Sequence, residues 1–346
     1  MGLLDRLRGK RETDETFVND ATLPLVSILI RSMDRKTLDR AMRSAARQTW
    51  GNVEIIVVAA CGAAHRTLAD DCMGRPLRLV FGDNQRRLSR PAAANAALDS
   101  AHGVWLNFLD DDDELDAAHV ATLMQSIGTR REKLVYSATR VVDKRGKQIA
   151  RVGYPGNHVQ LFFHSRAASS TMMIHRSLVE DGARFDPAFD VHEDHDFQIA
   201  CATRTDFLFV DAITATWHGQ IGESGCGFGP NDDHAQRIAT VTRIREKWQQ
   251  PLQRWLRKFD DVLLVGKMYL DGGDLPAALE CLERALALRP TDVNALNLCG
   301  MANFEAGALD RAEDLVARAV KRLPRQPALR DNLARIRARR AEFPGP

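Results

Sequence analysis

The chain has 346 residues, 45% hydrophobic and 27% charged, with 48 Lys and Arg against 46 Asp and Glu and a formal net charge of +2. That length predicts two or three domains, and the balanced charge excludes the concentrated basic face of a nucleic-acid binder. No apolar stretch reaches the length of a membrane span, and the six cysteines (Cys61, Cys72, Cys201, Cys226, Cys281, Cys299) have neither paired nor metal-ligand spacing, as expected of reduced thiols in a cytoplasmic protein.

In chain order, residues 1–11 (MGLLDRLRGKR) are a short basic amphipathic stretch. It is expected to be a frayed tail rather than a membrane anchor, because one or two turns bury little apolar area. Arg6 stands where lipidation at Gly2 would need Ser or Thr. Residues 25–30, after Pro24, are apolar and β-branched and predict a first strand. Residues 37–48 carry Leu38, Ala41, Met42, Ala45 and Ala46 at helical spacing. Residues 53–58 (VEIIVV) predict a second buried strand, closed by the small residues 59–62, and residues 77–81 a third. Residues 91–101 read as an alanine-rich helix able to pack closely on a sheet. Such alternation implies right-handed crossovers and a doubly wound, mostly parallel α/β sheet.

The next strand ends abruptly in charge. Residues 104–115 read VWLNFLDDDDEL, a buried-strand pattern that stops at five consecutive acids. Open α/β sheets bind ligands at the carboxyl ends of their strands, where Asp110, Asp111, Asp112 and Asp113 then lie. Crowded carboxylates repel, and a divalent cation shared with phosphate oxygens relieves that cost; oxygen ligands suit Mg²⁺ or Mn²⁺. The plain alternative is a solvated acidic helix start. Further on, FDPAFDVHEDHDFQIA places Glu193 and Asp194 before a helix-like stretch at 197–202, where acids also serve as caps. His192 and His195 flank them, a spacing more often structural than metal-binding. Residues 207–217 predict a strand, followed by His218 and a glycine-rich loop, GQIGESGCGFG, that suits a closing lid or an ordinary connector.

The last third changes character. Gly266, Tyr269, Ala278, Ala285 and Pro290 recur 34 residues later as Gly300, Asn303, Ala312, Ala319 and Pro324, with Leu282 and Val316 as the large apolar pair. This is the tetratricopeptide period, with small residues where two helices cross. Residues 327–340 then read as a basic capping helix. Two repeats and a cap are short of the three that stand alone, so they must pack on another surface or a second subunit.

The succession VSILIRS, RSAARQTWGNVEIIVV, AAANAALDSAHGVWLNFLDDDDEL and FDPAFDVHEDHDFQIA resembles the family 2 glycosyltransferases of GT-A fold, over roughly residues 24–247. The resemblance implies a mostly parallel, Rossmann-like α/β domain at 23–250, after a tail at 1–22 and before an all-α repeat domain at 255–346. It implies an inverting, metal-dependent transfer of a sugar from a nucleotide-sugar to a hydroxyl of a protein, peptide or cell-surface glycan. Asp110 and Asp111 would bind the donor, Asp110 near the ribose. Asp112, with Asp110 and His218, would hold Mn²⁺ or Mg²⁺, and Asp113 would cap a helix or support the ligands. Asp194, or else Glu193, would be the base, and Arg31 and Ser32 would line the nucleotide.

Three departures stand out. The base-reading aspartate after the second strand is replaced by Ala59-Ala60-Cys61-Gly62, the arginine before Asn95 by Ala94, and the proline after strand one by Arg31. Arg87 and Arg90 are the candidate substitutes at the diphosphate, with a UDP-sugar the default donor. The expected location is cytoplasmic, with peripheral attachment at the inner membrane face as a variant, and the repeats are expected to hold a protein partner or a second copy. The competing hypothesis is a non-catalytic scaffold on a decayed transferase fold. The retained Asp110, Asp112, Glu193 and Asp194 favour the enzyme, because clustered acids are costly to keep without a use.

Overall fold

The structure, a computed structural model, describes residues 16–219 and 234–342. The tail at 1–11 and the glycine-rich stretch from 220 onward lie outside the described residues. Contacts divide the chain into two compact units: residues 1–156 with 164–244, and residues 157–163 with 245–346.

The first unit runs β1 (Val26–Ser32), α1 (Leu38–Ala46), β2 (Val53–Ala59), β3 (Asp71–Cys72), β4 (Arg75–Val80), α2 (Arg90–Ser100), β5 (Trp105–Asp110), β6 (Glu114–Leu115), α3 (His119–Ile127), β7 (Leu134–Val142), β8 (Gln148–Val152), β9 (Met172–His175), α4 (Ser177–Glu180), α5 (Glu193–Ala202) and β10 (Phe207–Trp217). Among the described residues the strands form one mixed sheet in the order β3-β4-β2-β1-β5-β9-β7-β10-β6, with β8 on β7. The three longest ladders, β1 with β2, β1 with β5 and β7 with β10, are parallel. The alternating pleat sorts the apolar strands onto two cores. Ile28 and Ile30 face α1 and α3 beside Leu38, Ala41, Val120 and Leu123. Leu29 and Phe108 face α2 and α5 beside Ala93, Ala97 and Phe197. The predicted strands and helices up to β5 therefore exist where the periodicity placed them, and the fold is the expected Rossmann-like, mostly parallel α/β domain.

From residue 234 the described chain is helical: α6 (His234–Lys247), α7 (Gln249–Trp255), α8 (Phe259–Asp271), α9 (Leu275–Leu288), α10 (Val293–Glu305), α11 (Leu309–Arg322) and α12 (Pro327–Glu342). Helix pairs α8/α9 and α10/α11 are the two repeats. A Cβ on Gly266 would lie 2.8 Å from Leu282, and one on Gly300 2.5 Å from Val316. These 34-residue equivalents are glycine because the paired helix presses on the backbone. On α12, Leu329, Leu333 and Ile336 are buried, while Arg337 and Arg340 bond Glu313 on α11, as a cap should. One feature has no signature in the sequence. The 3₁₀ turn His158–Phe162 belongs to this helical unit, where Val159 and Phe162 share a core with Leu252, Leu256 and Phe259.

Candidate active site

The chain reverses its direction of growth across the sheet between β1 and β5, and their register sets Arg31 opposite Asp110 at the carboxyl edge. This is the crevice in which open α/β sheets bind ligands. Arg31 is not free there. Its Nε and Nη2 donate to Asp110 Oδ1 at 3.1 and 2.7 Å, and its Nη1 donates to Glu193 Oε1 at 2.6 Å. Burial would lower the guanidinium's pKa, but the Asp110 and Glu193 charges raise it further, so Arg31 stays a cation. Burial likewise opposes ionisation of Asp110, yet Arg31 holds that carboxyl below its ordinary value.

The acids divide by partner. Asp111 is fully buried, accepts the Met33 N–H at 2.7 Å and pairs with Arg35. Asp112 is left with Arg35 at 3.9 Å, while its backbone carbonyl accepts from Arg40 at 2.9 Å. Burial first, then the charges of Asp110 and Asp111, push the Asp112 carboxyl up to about 6. Asp113 is raised well above the usual range by burial and by the charges of Asp112 and Asp110. It caps no helix. The short β6 strand pairs antiparallel with β10, Glu114 opposite Thr216, and this draws in His218, whose N–H donates to Asp113 Oδ1 at 3.0 Å. The His218 imidazole bonds Glu114 through Nε2 at 2.9 Å.

Glu193 and Asp194 open α5, which starts earlier than the predicted 197. Acids in a first helical turn are favoured by its unpaired N–H groups, but Glu193 is almost fully buried, its carboxylate between Arg31 and Arg90, the latter at 3.9 Å. Burial raises the Glu193 carboxyl, opposed by Arg31 and reinforced by Asp194. Asp194 is partly exposed, and one oxygen accepts the His195 N–H at 2.8 Å. His192, before the helix, is in the left-handed region at φ 60°, an uncommon conformation outside glycine, though one that histidine adopts more readily than most residues.

Other predicted residues fall less centrally. Ser32 is fully buried, its hydroxyl bonded to His65 Nε2 at 2.8 Å and accepting from the Asp34 N–H at 2.9 Å; it builds the loop after β1. Arg90 turns toward Glu193, and Arg87 is exposed on the loop before α2. Arg35 and Arg40, which neutralise the acidic run, were not singled out by sequence, although the basic run SMDRKTLDR directly after strand one was the available signal.

Among the described residues, no group of three His, Cys, Asp and Glu side chains is arranged to hold a metal ion. The Asp110–Asp112–His218 ligand set is therefore not assembled: Asp110 is taken by Arg31 and the His218 ring by Glu114. Of the three, only Asp112 is left without a close partner of opposite charge, so a metal would meet one carboxylate here rather than a preassembled set. Mg²⁺ commonly binds through one or two carboxylates plus phosphate and water, and Asp112, crowded by like charge, gains from one.

An α/β sheet with acids and arginines gathered at its topological switch point has a polar, charged crevice where such folds bind ligands. Residues 27–181 match the family described as glycosyl transferase family 2, and residues 266–327 match the tetratricopeptide repeat. The transferase match thus lies within the α/β unit, apart from residues 157–163, and the repeat match within the helical unit. Similar curated proteins include an uncharacterized protein, y4gI, of Sinorhizobium fredii, 23% identical over 52% of this chain and 20% of its own length. An uncharacterized glycosyltransferase of Methanocaldococcus jannaschii is 23% identical over 54% of this chain and 67% of its own. The GalNAc(5)-diNAcBac-PP-undecaprenol beta-1,3-glucosyltransferase of Campylobacter jejuni is 30% identical over 30% of this chain and 34% of its own. The chain thus spans a fifth to two thirds of these relatives. Among solved structures, S. aureus TarS 1–349 in complex with UDP-GlcNAc is 14% identical with a TM-score of 0.48, covering 90% of each chain.

Proposed function

We propose that the chain is an inverting glycosyltransferase that moves a sugar from a nucleoside-diphosphate donor, by default a UDP-sugar, to an acceptor hydroxyl. The observation that carries this reading is the meeting of Asp110, at the end of β5, with Glu193, at the start of α5, through one buried arginine. That juxtaposition sets a donor-side acid beside the base motif. The nucleotide lies along the carboxyl edge of β1 and β5, near Asp110. Glu193 is buried and spoken for by Arg31, whereas Asp194 is partly exposed, so Asp194 is the base. It takes the acceptor's proton as the acceptor oxygen bonds to the anomeric carbon, and the bond from that carbon to the diphosphate breaks with the electron pair leaving on phosphate. A divalent cation, Mn²⁺ or Mg²⁺, held by Asp112 and the donor phosphates would neutralise the departing diphosphate. The repeats supply a docking surface for a polypeptide acceptor, a protein partner or a second copy.

A thermal-shift screen of UDP-, GDP-, CDP- and dTDP-sugars with Mn²⁺ or Mg²⁺, followed by assay of released nucleoside diphosphate, tests the reading. One nucleotide class should stabilise the protein and be consumed. Absence of both binding and consumption across the panel would leave the scaffold hypothesis standing.

A further inference from the structure

We propose that Arg31 is a positioning residue, a strut that ties Asp110 to Glu193 and thereby fixes the first turn of α5, on which Asp194 sits. The role rests on the transferase reading above and departs from the expectation that Arg31 is a donor ligand. Three observations carry it. First, the Arg31 guanidinium donates two hydrogen bonds to Asp110 and one to Glu193, and only 12% of the side chain is exposed. Three of its five N–H groups, one on each nitrogen, are thus directed at protein carboxylates. Second, the partners are 79 and 162 residues away in sequence; the contact joins the end of the central strand pair to a separate helix. Third, the α5 start needs such a fastening. His192 sits in a left-handed conformation without a side-chain cap, and the Glu193 side chain is 4% exposed with Arg90 as its other cation, at 3.9 Å.

A buried carboxylate that loses its close cation is strongly disfavoured and must move or take up a proton. Removing Arg31 therefore displaces the turn that carries Asp194, and sub-ångström misplacement of a base is felt in the chemical step rather than in donor affinity. A donor ligand would give the opposite signature, a raised KM. Lys cannot span both carboxylates, since it offers a point charge where Arg offers a planar fork.

The test uses the full chain and four variants, Arg31→Met, Arg31→Lys, Glu193→Gln and the Met/Gln double substitution, assayed for release of nucleoside diphosphate from the sugar nucleotide it consumes. Arg31→Met should lower kcat by about 100-fold with donor KM within about threefold of wild type. Arg31→Lys should recover about tenfold of that loss. Glu193→Gln, whose amide oxygen still accepts from Arg31, should lose about tenfold alone and add nothing to Arg31→Met, because coupled groups are non-additive. The double variant removes the Glu193 charge along with that of Arg31, leaving only Asp110, whose side chain is 40% exposed, without its close cation, and so remains informative if Arg31→Met alone does not fold. A raised KM with unchanged kcat, or additive losses in the double variant, would overturn the strut. Full activity in Arg31→Met sinks only the strut, whereas a wild-type chain that consumes no sugar nucleotide sinks the transferase reading and this role with it.

Discussion

Asp112→Asn separates stability from function in a way that few other changes here can. The wild-type carboxyl is pushed from 3.8 to about 6 by burial and by its acidic neighbours. A folded-state value raised above the unfolded one adds stability below pH 3.8, and that contribution is lost as pH rises through 6. A rise of this size corresponds to about 3 kcal/mol, an upper figure because neighbours relax when the charge is removed. At pH 7 without metal, Asp112→Asn should therefore be more stable than wild type by about 1–3 kcal/mol, a rise of about 2–12 °C in the melting of the α/β unit. At pH 4 the two should differ little, since Asp112 is then protonated. Thermal melts of both proteins at the two pH values, in chelator and then in Mn²⁺ with UDP, measure this directly. Mn²⁺ added with UDP should stabilise wild type at pH 7 more than it does the variant, and the variant should lose donor turnover. An equal stability difference at pH 4 and 7, an equal response to Mn²⁺, or normal turnover in the variant would refute the reasoning.

Asp194→Asn should keep nucleotide binding by calorimetry but lose transfer by about 100-fold or more, the usual worth of a positioned base; if only Glu193→Gln is inactive, the base is misassigned. His119 is fully buried between Thr214, at 2.7 Å, and Asn107, at 2.9 Å, and burial lowers its pKa to about 4. Its neutral form contributes stability that is intact above 6.5 and lost as pH falls to 4, so the advantage of wild type over His119→Gln should shrink by up to about 3 kcal/mol across that window; a pH-independent difference in urea melts would contradict the burial of a neutral ring. Gly300→Ala would drive a methyl to within 2.5 Å of Val316, and should destabilise the helical unit by about 1–3 kcal/mol in thermal melts despite alanine's better helix propensity.

Much of the fold was legible because it is written in local periodicity. VSILIRS and VEIIVV alternate between two buried faces, and the 34-residue spacing of Gly266 and Gly300 reports the close approach of Leu282 and Val316. The end of β5 was legible too as a strand terminus, since the apolar run stops there at five acids. What the sequence hid is non-local. Arg31 and Glu193 meet only because β1 and β5 are adjacent in the sheet and α5 packs across Phe108. The two-residue β6 carries no periodic signal, yet its pairing with β10 decides that His218 bonds Glu114 rather than joining Asp112. Likewise, residues 157–163 carry no mark that they pack with helices beginning some 90 residues later.

Direct displacement at the anomeric carbon can be tested on the donor alone, with water in place of the acceptor. Proton NMR of the sugar first released from an α-linked UDP-sugar, taken before the anomers equilibrate, reads both consumption and stereochemistry. The account predicts release of the β-anomer together with UDP by the wild-type chain, and none by Asp194→Asn. Release of the α-anomer, or an unchanged donor across the sugar-nucleotide panel, would contradict it.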